Sequence, residues 1–227
     1  MTAVRRSLLI CFVPRSGSTY LCGLLASTGV LGRPWEHFWA PDGFADREAA
    51  DVLREGATQN GVFGCKFQLG QWNALLERER ARAPGLPDRE LVERLFPDPR
   101  YVRLRREDRV AQAVSWSRAM QTGLWSTTHE GSGDPRYDRA EIAGLLELIG
   151  WESNGWDAWL AAQGIDAHEV AYERVLADPR AAVEAIGRAA GVSVPDGIEL
   201  RSYPGWERQA DALNDEWIRR FRDEVPA

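Results

Sequence analysis

Lysine is almost missing from this 227-residue chain: Lys66 is the only one, and every other member of its 28 Lys and Arg residues is arginine. Acidic residues number 34, for a net charge of -6. That balance excludes a broadly basic surface of the kind that binds nucleic acid, so an anionic ligand needs a local basic pocket. The three cysteines, Cys11, Cys22 and Cys65, are an odd number without metal-ligand spacing. They exclude a disulfide framework and are expected as buried free thiols in a reducing compartment, with no metal site. No apolar run reaches the length of a membrane span. Leu8–Val13 follows Arg5-Arg6 but is too short for a signal peptide, and Pro14-Arg15 ends it without a small-residue cleavage site. The expectation is a cytoplasmic protein without a membrane partner. Repeats and domain boundaries are also lacking, so residues 1–227 are read as one domain, long enough for a substantial core.

What is present begins with an apolar run, Ser7–Val13, that reads as a buried strand. It leads into Pro14-Arg15-Ser16-Gly17-Ser18-Thr19, and then Tyr20–Leu25 continues at helical density. Strand, short loop with glycine and hydroxyls, then helix is how an α/β protein builds an anion cradle, because loop amides and the helix N-terminus favour negative charge. Gly17 permits close backbone approach, and Arg15 adds a fixed charge. The loop is not a Walker A motif, which needs Gly-x-x-x-x-Gly-Lys-Ser/Thr. Further on, Pro34-Trp35-Glu36-His37-Phe38 sets a carboxylate among aromatics. An anion cradle with a nearby base points to group transfer.

Strands are predicted over Leu8–Val13, Gly61–Phe67, Tyr101–Arg105 and Glu169–Tyr172. Helices are predicted over Ala45–Gly56, Leu69–Glu79, Arg89–Phe96, Asp108–Gln121, Ala140–Ala162 and Arg180–Ala190, with a last helix from near Gln209 past Phe221. Asp178-Pro179 reads as a cap followed by a first-turn proline. The alternation implies an α/β fold, a parallel sheet flanked by helices. Arg82–Pro87 reads as a loop, and Thr122–Arg136 as a longer one, a lid or a disordered segment.

Other clusters are weaker alone. Tyr101–Arg109 ends a strand in arginines, where open α/β sheets bind ligands. If the strand persists through them, Arg105 and Arg106 face opposite ways, with Val102, Leu104 and Arg106 on one face. A helix carrying Ser115 follows. Trp217 and Phe221, four apart, are expected to face the core.

Taken in order, these segments resemble the sulfotransferases that use 3'-phosphoadenosine-5'-phosphosulfate (PAPS) and release 3'-phosphoadenosine-5'-phosphate (PAP). Pro14-Arg15-Ser16-Gly17-Ser18-Thr19 is similar to their phosphosulfate loop Pro-Lys-Ser-Gly-Thr-Thr, with arginine for lysine. Their 3'-phosphate is held by an arginine after a later strand and a serine on the next helix. Arg106 and Ser115 match, at a spacing of nine where eight is usual, so Arg105 remains an alternative. Tyr172-Glu173-Arg174-Val175 resembles a Tyr-Glu-x-Leu element, and Arg208 begins a segment like the family's C-terminal phosphate-binding one. Within the superfamily the chain resembles the Stf-zero type, whose known member sulfates trehalose. Gly32-Arg33-Pro34-Trp35-Glu36-His37-Phe38, Phe63-Gly64-Cys65-Lys66, Gln112-Ala113-Val114-Ser115 and Arg208-Gln209-Ala210-Asp211 carry that resemblance across residues 8 to 221.

The resemblance implies sulfuryl transfer from PAPS to a hydroxyl of a carbohydrate or small natural-product acceptor, without a metal. Arg15, Ser16, Gly17, Ser18, Thr19, Arg106, Ser115, Tyr172 and Arg208 would bind the nucleotide. Where many sulfotransferases have Lys-Thr-His, this chain has Lys66-Phe67-Gln68, so the usual histidine base is absent. The resemblance gives that role to Glu36, with Lys66 and Arg15 neutralising charge. Trp35, Phe38 and Trp39 are expected to desolvate Glu36, and His37 is the rival base. Indoles stack on sugar rings, so Trp35, Trp39 and Trp125 are acceptor-site candidates, whereas Trp151, Trp156 and Trp159 are expected in core or interface. Relatives form dimers, which leaves a homodimer open here. Two other readings are an ATP-dependent small-molecule kinase with a degenerate P-loop and a non-catalytic adenine-nucleotide-binding protein.

Overall fold

A computed structural model describes residues 3–39, 48–125, 133–203 and 211–224. Alternating apolar and helical segments give β1 (Arg6–Cys11), α1 (Ser18–Ser27), α2 (Ala49–Glu55), β2 (Val62–Phe67), α3 (Leu69–Arg82), α4 (Asp88–Leu95), β3 (Pro99–Arg105), α5 (Arg109–Thr122), α6 (Arg139–Ala162), β4 (His168–Ala171), α7 (Tyr172–Ala177), α8 (Pro179–Ala189) and α9 (Ala212–Asp223). The strands form a four-stranded sheet in the order β2-β1-β3-β4, with every pair parallel. The α/β expectation is met.

Strand alternation divides the core. Leu9, Cys11, Phe63, Cys65 and Phe67 point to one face, covered by α3 to α6 and α9. Leu8, Ile10, Val102 and Leu104 point to the other, covered by α1 and α8. Buried on both faces, the central strands read as continuous apolar runs rather than alternating ones. Trp217 and Phe221 face the first core, as expected, and Trp156 is fully enclosed in it. Trp151 is the exception among the helical tryptophans, standing 64% exposed on α6. All three cysteines are buried and free. Among the described residues no helix is long and apolar enough to cross a membrane.

Several boundaries differ from the sequence reading. β1 begins at Arg6, because Arg6 already stands opposite Val62, and it ends at Cys11. Phe12 and Val13 leave the strand to begin the loop, although the Phe12 amide still donates to the Phe67 carbonyl at 3.1 Å. Tyr172 closes no strand; it opens the six-residue α7, which the sequence reading misses. So short a helix carries too little periodicity to be seen. The last helix starts at Ala212 with Asp211 as its cap, its carboxylate accepting from the Asn214 amide. Residues 126–132 of the long loop, and the start expected for the helix over 45–56, lie outside the described residues.

The order β2-β1-β3-β4 places the reversal of winding between β1 and β3, and ligands of open α/β sheets bind outside the carboxyl ends at that point. Pro14–Thr19 and Arg106 follow directly from those two strand ends.

Candidate active site

Backbone shape makes the loop a cradle. Arg15 and Gly17 both adopt left-handed φ, 63° and 81°. Such residues turn loop amides into an anion-binding concavity. Gly17 is needed twice over, since a Cβ there would lie 2.2 Å from the ring of Tyr172. The loop is pinned from below by Gln112, whose amide donates to the Pro14 carbonyl at 2.7 Å, and by the Trp156 indole, which donates to the Phe12 carbonyl at 3.1 Å. Ser16, Ser18 and Thr19 are buried, and Ser16 Oγ has no hydrogen-bond partner among the described residues. A buried hydroxyl without a partner is costly, and an anionic oxygen in the cradle would satisfy it.

The arginine side of the cradle lies toward β3. Arg15 Nε donates to Ser115 Oγ at 2.9 Å and its Nη1 to the Trp125 carbonyl at 2.9 Å. Burial, and then repulsion from Arg106, lower the Arg15 guanidinium from 12.5 to about 10, which leaves it charged at neutral pH. Arg106 Nη1 donates to the Arg15 carbonyl at 3.2 Å, and its guanidinium lies 5.2 Å from the centre of the Tyr172 ring. Arg15, Arg106, Ser115, Gly17 and Tyr172 are thus gathered at one spot from four segments. Glu173 sets the approach: its carboxylate accepts the Glu107 and Asp108 amides at 3.1 and 3.3 Å, just ahead of α5.

Arg105 behaves differently. It makes a two-pronged pair with Asp157 at 3.0 and 2.9 Å and also reaches Glu169 at 2.9 Å. Strand alternation puts it with the buried Arg103, which bonds Asp157, Ser153 and the Leu104 carbonyl. β3 ends at Arg105, so strand alternation does not reach Arg106, and the two arginines differ instead by their partners. A cavity of about 320 Å³ lies here, lined by Ser16, Arg105, Arg106, Arg109, Gln112 and Ser153 among others.

The lysine side lies toward β2. The segment after Gly32 runs alongside that strand: Trp35 forms a parallel bridge to Cys65, and the Lys66 amide donates to the Trp35 carbonyl at 3.0 Å. This brings Glu36 over the strand end. Lys66, 3% exposed, places Nζ 3.0 Å from Glu36 Oε1 and 2.8 Å from Thr19 Oγ1. Phe12 and Trp35 flank the same ammonium, with ring centres 5.0 and 5.2 Å away. Glu36 Oε2 accepts from Gln71 Nε2 at 2.6 Å and from Gln68 Nε2 at 3.4 Å.

The surroundings of Glu36 depart from the expected aromatic shell. Phe38 turns into the core against Phe63, Phe67 and Phe96, and the groups that touch the carboxylate are an ammonium and two amides. His37 also turns aside, its Nε2 against the Arg33 carbonyl at 2.9 Å and its ring on Phe63. Trp35 is 36% exposed and stands edge-on to Tyr203, ring centres 5.6 Å apart. Trp125 is 39% exposed and enters the site through its carbonyl, which Arg15 holds. Trp39 follows Glu36 in a tight turn, its amide donating to the Glu36 carbonyl at 3.1 Å. Arg208 lies outside the described residues.

Sequence reading misses Gln71, Gln112 and Glu173 as parts of this arrangement. For Gln71 a signal exists, the spacing of three from Gln68 that marks a capping box. Gln112 and Glu173 lie in motifs that carry the family resemblance, but their contacts join distant segments and no local pattern announces those partners.

The chain matches the family model described as Stf0 sulphotransferase over residues 7–52 and 42–224. It is 32% identical to a trehalose 2-sulfotransferase of Mycobacterium tuberculosis, in an alignment covering 100% of this chain and 98% of the relative. It is 30% identical to a trehalose 2-sulfotransferase of Mycolicibacterium smegmatis, over 92% of this chain and 91% of that one. Among solved structures, the sulfotransferase domain from the curacin biosynthetic pathway shares the fold, with a TM-score of 0.50 at 16% identity over 94% of this chain and 83% of that domain. With a family model spanning nearly its whole length and two relatives at that identity, the chain belongs to the Stf0 sulphotransferases and is a sulfotransferase.

Proposed function

We propose that the protein transfers a sulfuryl group from PAPS to a hydroxyl of a carbohydrate acceptor of the trehalose type, with Glu36 as general base. The observation that carries the reading is the ion pair between Lys66 and Glu36, which is joined through Thr19 to the first turn behind the phosphosulfate loop. One ammonium therefore touches both the helix that opens at the cradle and a carboxylate with 19% of its side chain open to solvent. That is the arrangement a reaction between a cradle-bound anion and an incoming alcohol requires.

The donor divides between the two sides of the cradle. Arg15, Ser16, Gly17, Ser18 and Thr19 take the 5'-phosphosulfate, and Ser16 Oγ, buried without a partner among the described residues, supplies a donor. Arg106 and Ser115 take the 3'-phosphate, with Tyr172 beneath. Arg105 stays with Asp157 and Glu169, which supports Arg106 as the phosphate ligand. Arg208 is assigned to the same phosphate on the resemblance alone.

The acceptor hydroxyl gives its proton to Glu36 as its oxygen bonds to sulfur. The bond from sulfur to the bridging phosphate oxygen breaks, and PAP leaves with that electron pair. A loose in-line transition state of this kind needs positioning and charge neutralisation above all. Lys66 and Arg15 supply the charge. Gln68 occupies the position of the usual histidine, and Glu36 reaches within 3.4 Å of it from another segment, so a base stands in the usual place although the residue there is not one. The relatives' names point to a disaccharide, and the rims offered by Trp35, Trp39 and Trp125 suit sugar rings.

The test mixes the protein with PAPS and a panel of sugars and alcohols that includes trehalose, and follows PAP release. Calorimetry with PAP runs in parallel, and ATP with magnesium serves as the kinase control. PAP release that depends on a sugar acceptor is expected. No release with any acceptor, together with no PAP binding, sinks the reading.

A further inference from the structure

The two glutamines that touch Glu36 also begin a helix, and the two duties are joined. Gln68 is the N-cap of α3 and Gln71 its third residue, and each side chain accepts from the other's backbone amide. In the Gln71 half of this reciprocal box, Oε1 accepts the Gln68 amide at 3.0 Å. Its Nε2 then has one direction left, and it donates to Glu36 Oε2 at 2.6 Å. The backbone therefore decides which end of the amide meets the carboxylate, since a flipped amide would set an oxygen against a carboxylate and a nitrogen against an N–H. Glutamine is not a favoured N-cap; serine, threonine, aspartate and asparagine all serve better. None of those shorter side chains both caps α3 and carries a second N–H toward Glu36, as Gln68 does at 3.4 Å.

We infer that Gln71 is the positioning residue for Glu36, its orientation locked by the α3 capping box so that the carboxylate is aimed at the acceptor hydroxyl. The inference rests on Glu36 being the base. Gln71 Nε2 holds Oε2 and Lys66 holds Oε1, so the plane of the carboxylate is fixed from two sides while part of it stays open to an incoming alcohol. Among the described residues, the buried thiols of Cys22 and Cys65 also lie within the field of Glu36. Burial pushes Cys22 up to about 12 and Cys65 also upward, so neither competes for the proton. Gln71 has no proton to exchange. Its contribution is to geometry: a base even slightly misaimed loses much of the advantage of a preorganised site.

Two substitutions separate aiming from folding. Gln71→Glu keeps an acceptor for the Gln68 amide but removes the N–H donor and sets a second carboxylate against Glu36. Gln71→Met removes both. The expected result is a fall in kcat of about tenfold or more in both variants, because a general base contributes about 10²–10⁴ and only part of that depends on aim. PAP affinity by calorimetry should remain at the unsubstituted value in both. In a Glu36→Gln background, neither substitution at 71 should lower kcat further, since the group it aims is gone. If Glu36→Gln lowers kcat by orders of magnitude while Gln71→Glu and Gln71→Met leave kcat unchanged, Glu36 stands as base and the role of Gln71 is overturned. That role is overturned equally if the effects of the 71 and 36 substitutions simply multiply. If Glu36→Gln keeps full turnover, the base reading itself has failed, and the role of Gln71 falls with it.

Discussion

Arg103 and Arg105 lie within three residues of Arg106 in the run Arg103-Leu104-Arg105-Arg106, yet they live in a different environment from it. On the α6 side, Arg103 and Arg105 meet Asp157, Glu169 and Ser153, and Arg103 is 1% exposed. On the cradle side, Arg106 and Arg15 meet carbonyl oxygens, a hydroxyl and the face of Tyr172. A buried arginine already paired with a carboxylate is structural, because an arriving phosphate would have to compete with a fixed anion. An arginine beside the cradle gains from an arriving anion, because a charge-assisted hydrogen bond is stronger than a neutral one. A basic run is therefore not a unit. Strand alternation puts Arg103 and Arg105 on one face, β3 ends before Arg106, and the partners that each meets decide what it can do.

The comparison can be broken or sharpened by experiment. The largest effect belongs to the chemistry beside the cradle: Glu36→Gln should lower kcat by about 10²–10⁴ with PAP affinity retained. Turnover assays and calorimetry check both halves. Next comes the structural set. Arg103→Met should cost about 3 kcal/mol of stability in urea unfolding, since it leaves the buried Ser153 hydroxyl and the Ser153 and Leu104 carbonyls without their donor. PAP binding by the folded fraction should stay intact. Arg106→Ala should do the reverse, weakening PAP binding by about 10–100-fold with little change in unfolding midpoint. If Arg106→Ala unfolded the protein while Arg105→Ala abolished PAP binding, the assignment of the two arginines would have to be exchanged. Arg105→Ala should itself cost no more than about 1 kcal/mol, because its pairs are partly exposed.

The smallest effect concerns Glu152, which sits on α6 within the field of Arg103. Burial raises its carboxyl from 4.5 to about 7, and Arg103 opposes the rise. The folded protein therefore holds a proton there that the unfolded chain releases above pH 4.5, so stability falls between pH 4.5 and 7. Glu152→Gln has no proton to lose and should be the more stable form at pH 8, by about 1 kcal/mol after allowance for solvent screening. That advantage should vanish below pH 4.5, and denaturant melts at the two pH values check it.

Much of the molecule is legible in its sequence. The four strands appear where apolar runs predict them, and the helices follow within a few residues wherever the chain is described. Gly17 reads as a place of close approach, and the ring of Tyr172 is what approaches. The ordered motifs lead to the right family. Of the aromatic shell expected around Glu36, Trp35 flanks the Lys66 ammonium that pairs with the carboxylate, and Phe38 lies in the core. Neighbours in sequence such as Phe38 turn into the core, while groups thirty residues away, Lys66, Gln68 and Gln71, supply the contacts. The helix α7 escapes a sequence reading because six residues make too short a period.

By itself, then, the sequence determined the local matters. Apolar periodicity set the strands and helices, a loop with glycine at a left-handed position set the cradle, and the lack of any lysine but Lys66 made one ammonium the only candidate of its kind. Tertiary structure alone decided the partners: which arginine faces the cradle, which carboxylate meets Lys66, and which end of the Gln71 amide meets Glu36. Periodicity is a property of consecutive residues and survives in the chain as written. A hydrogen bond between segments depends on sheet order and register, and these exist only after folding has brought β1, β2 and β3 side by side.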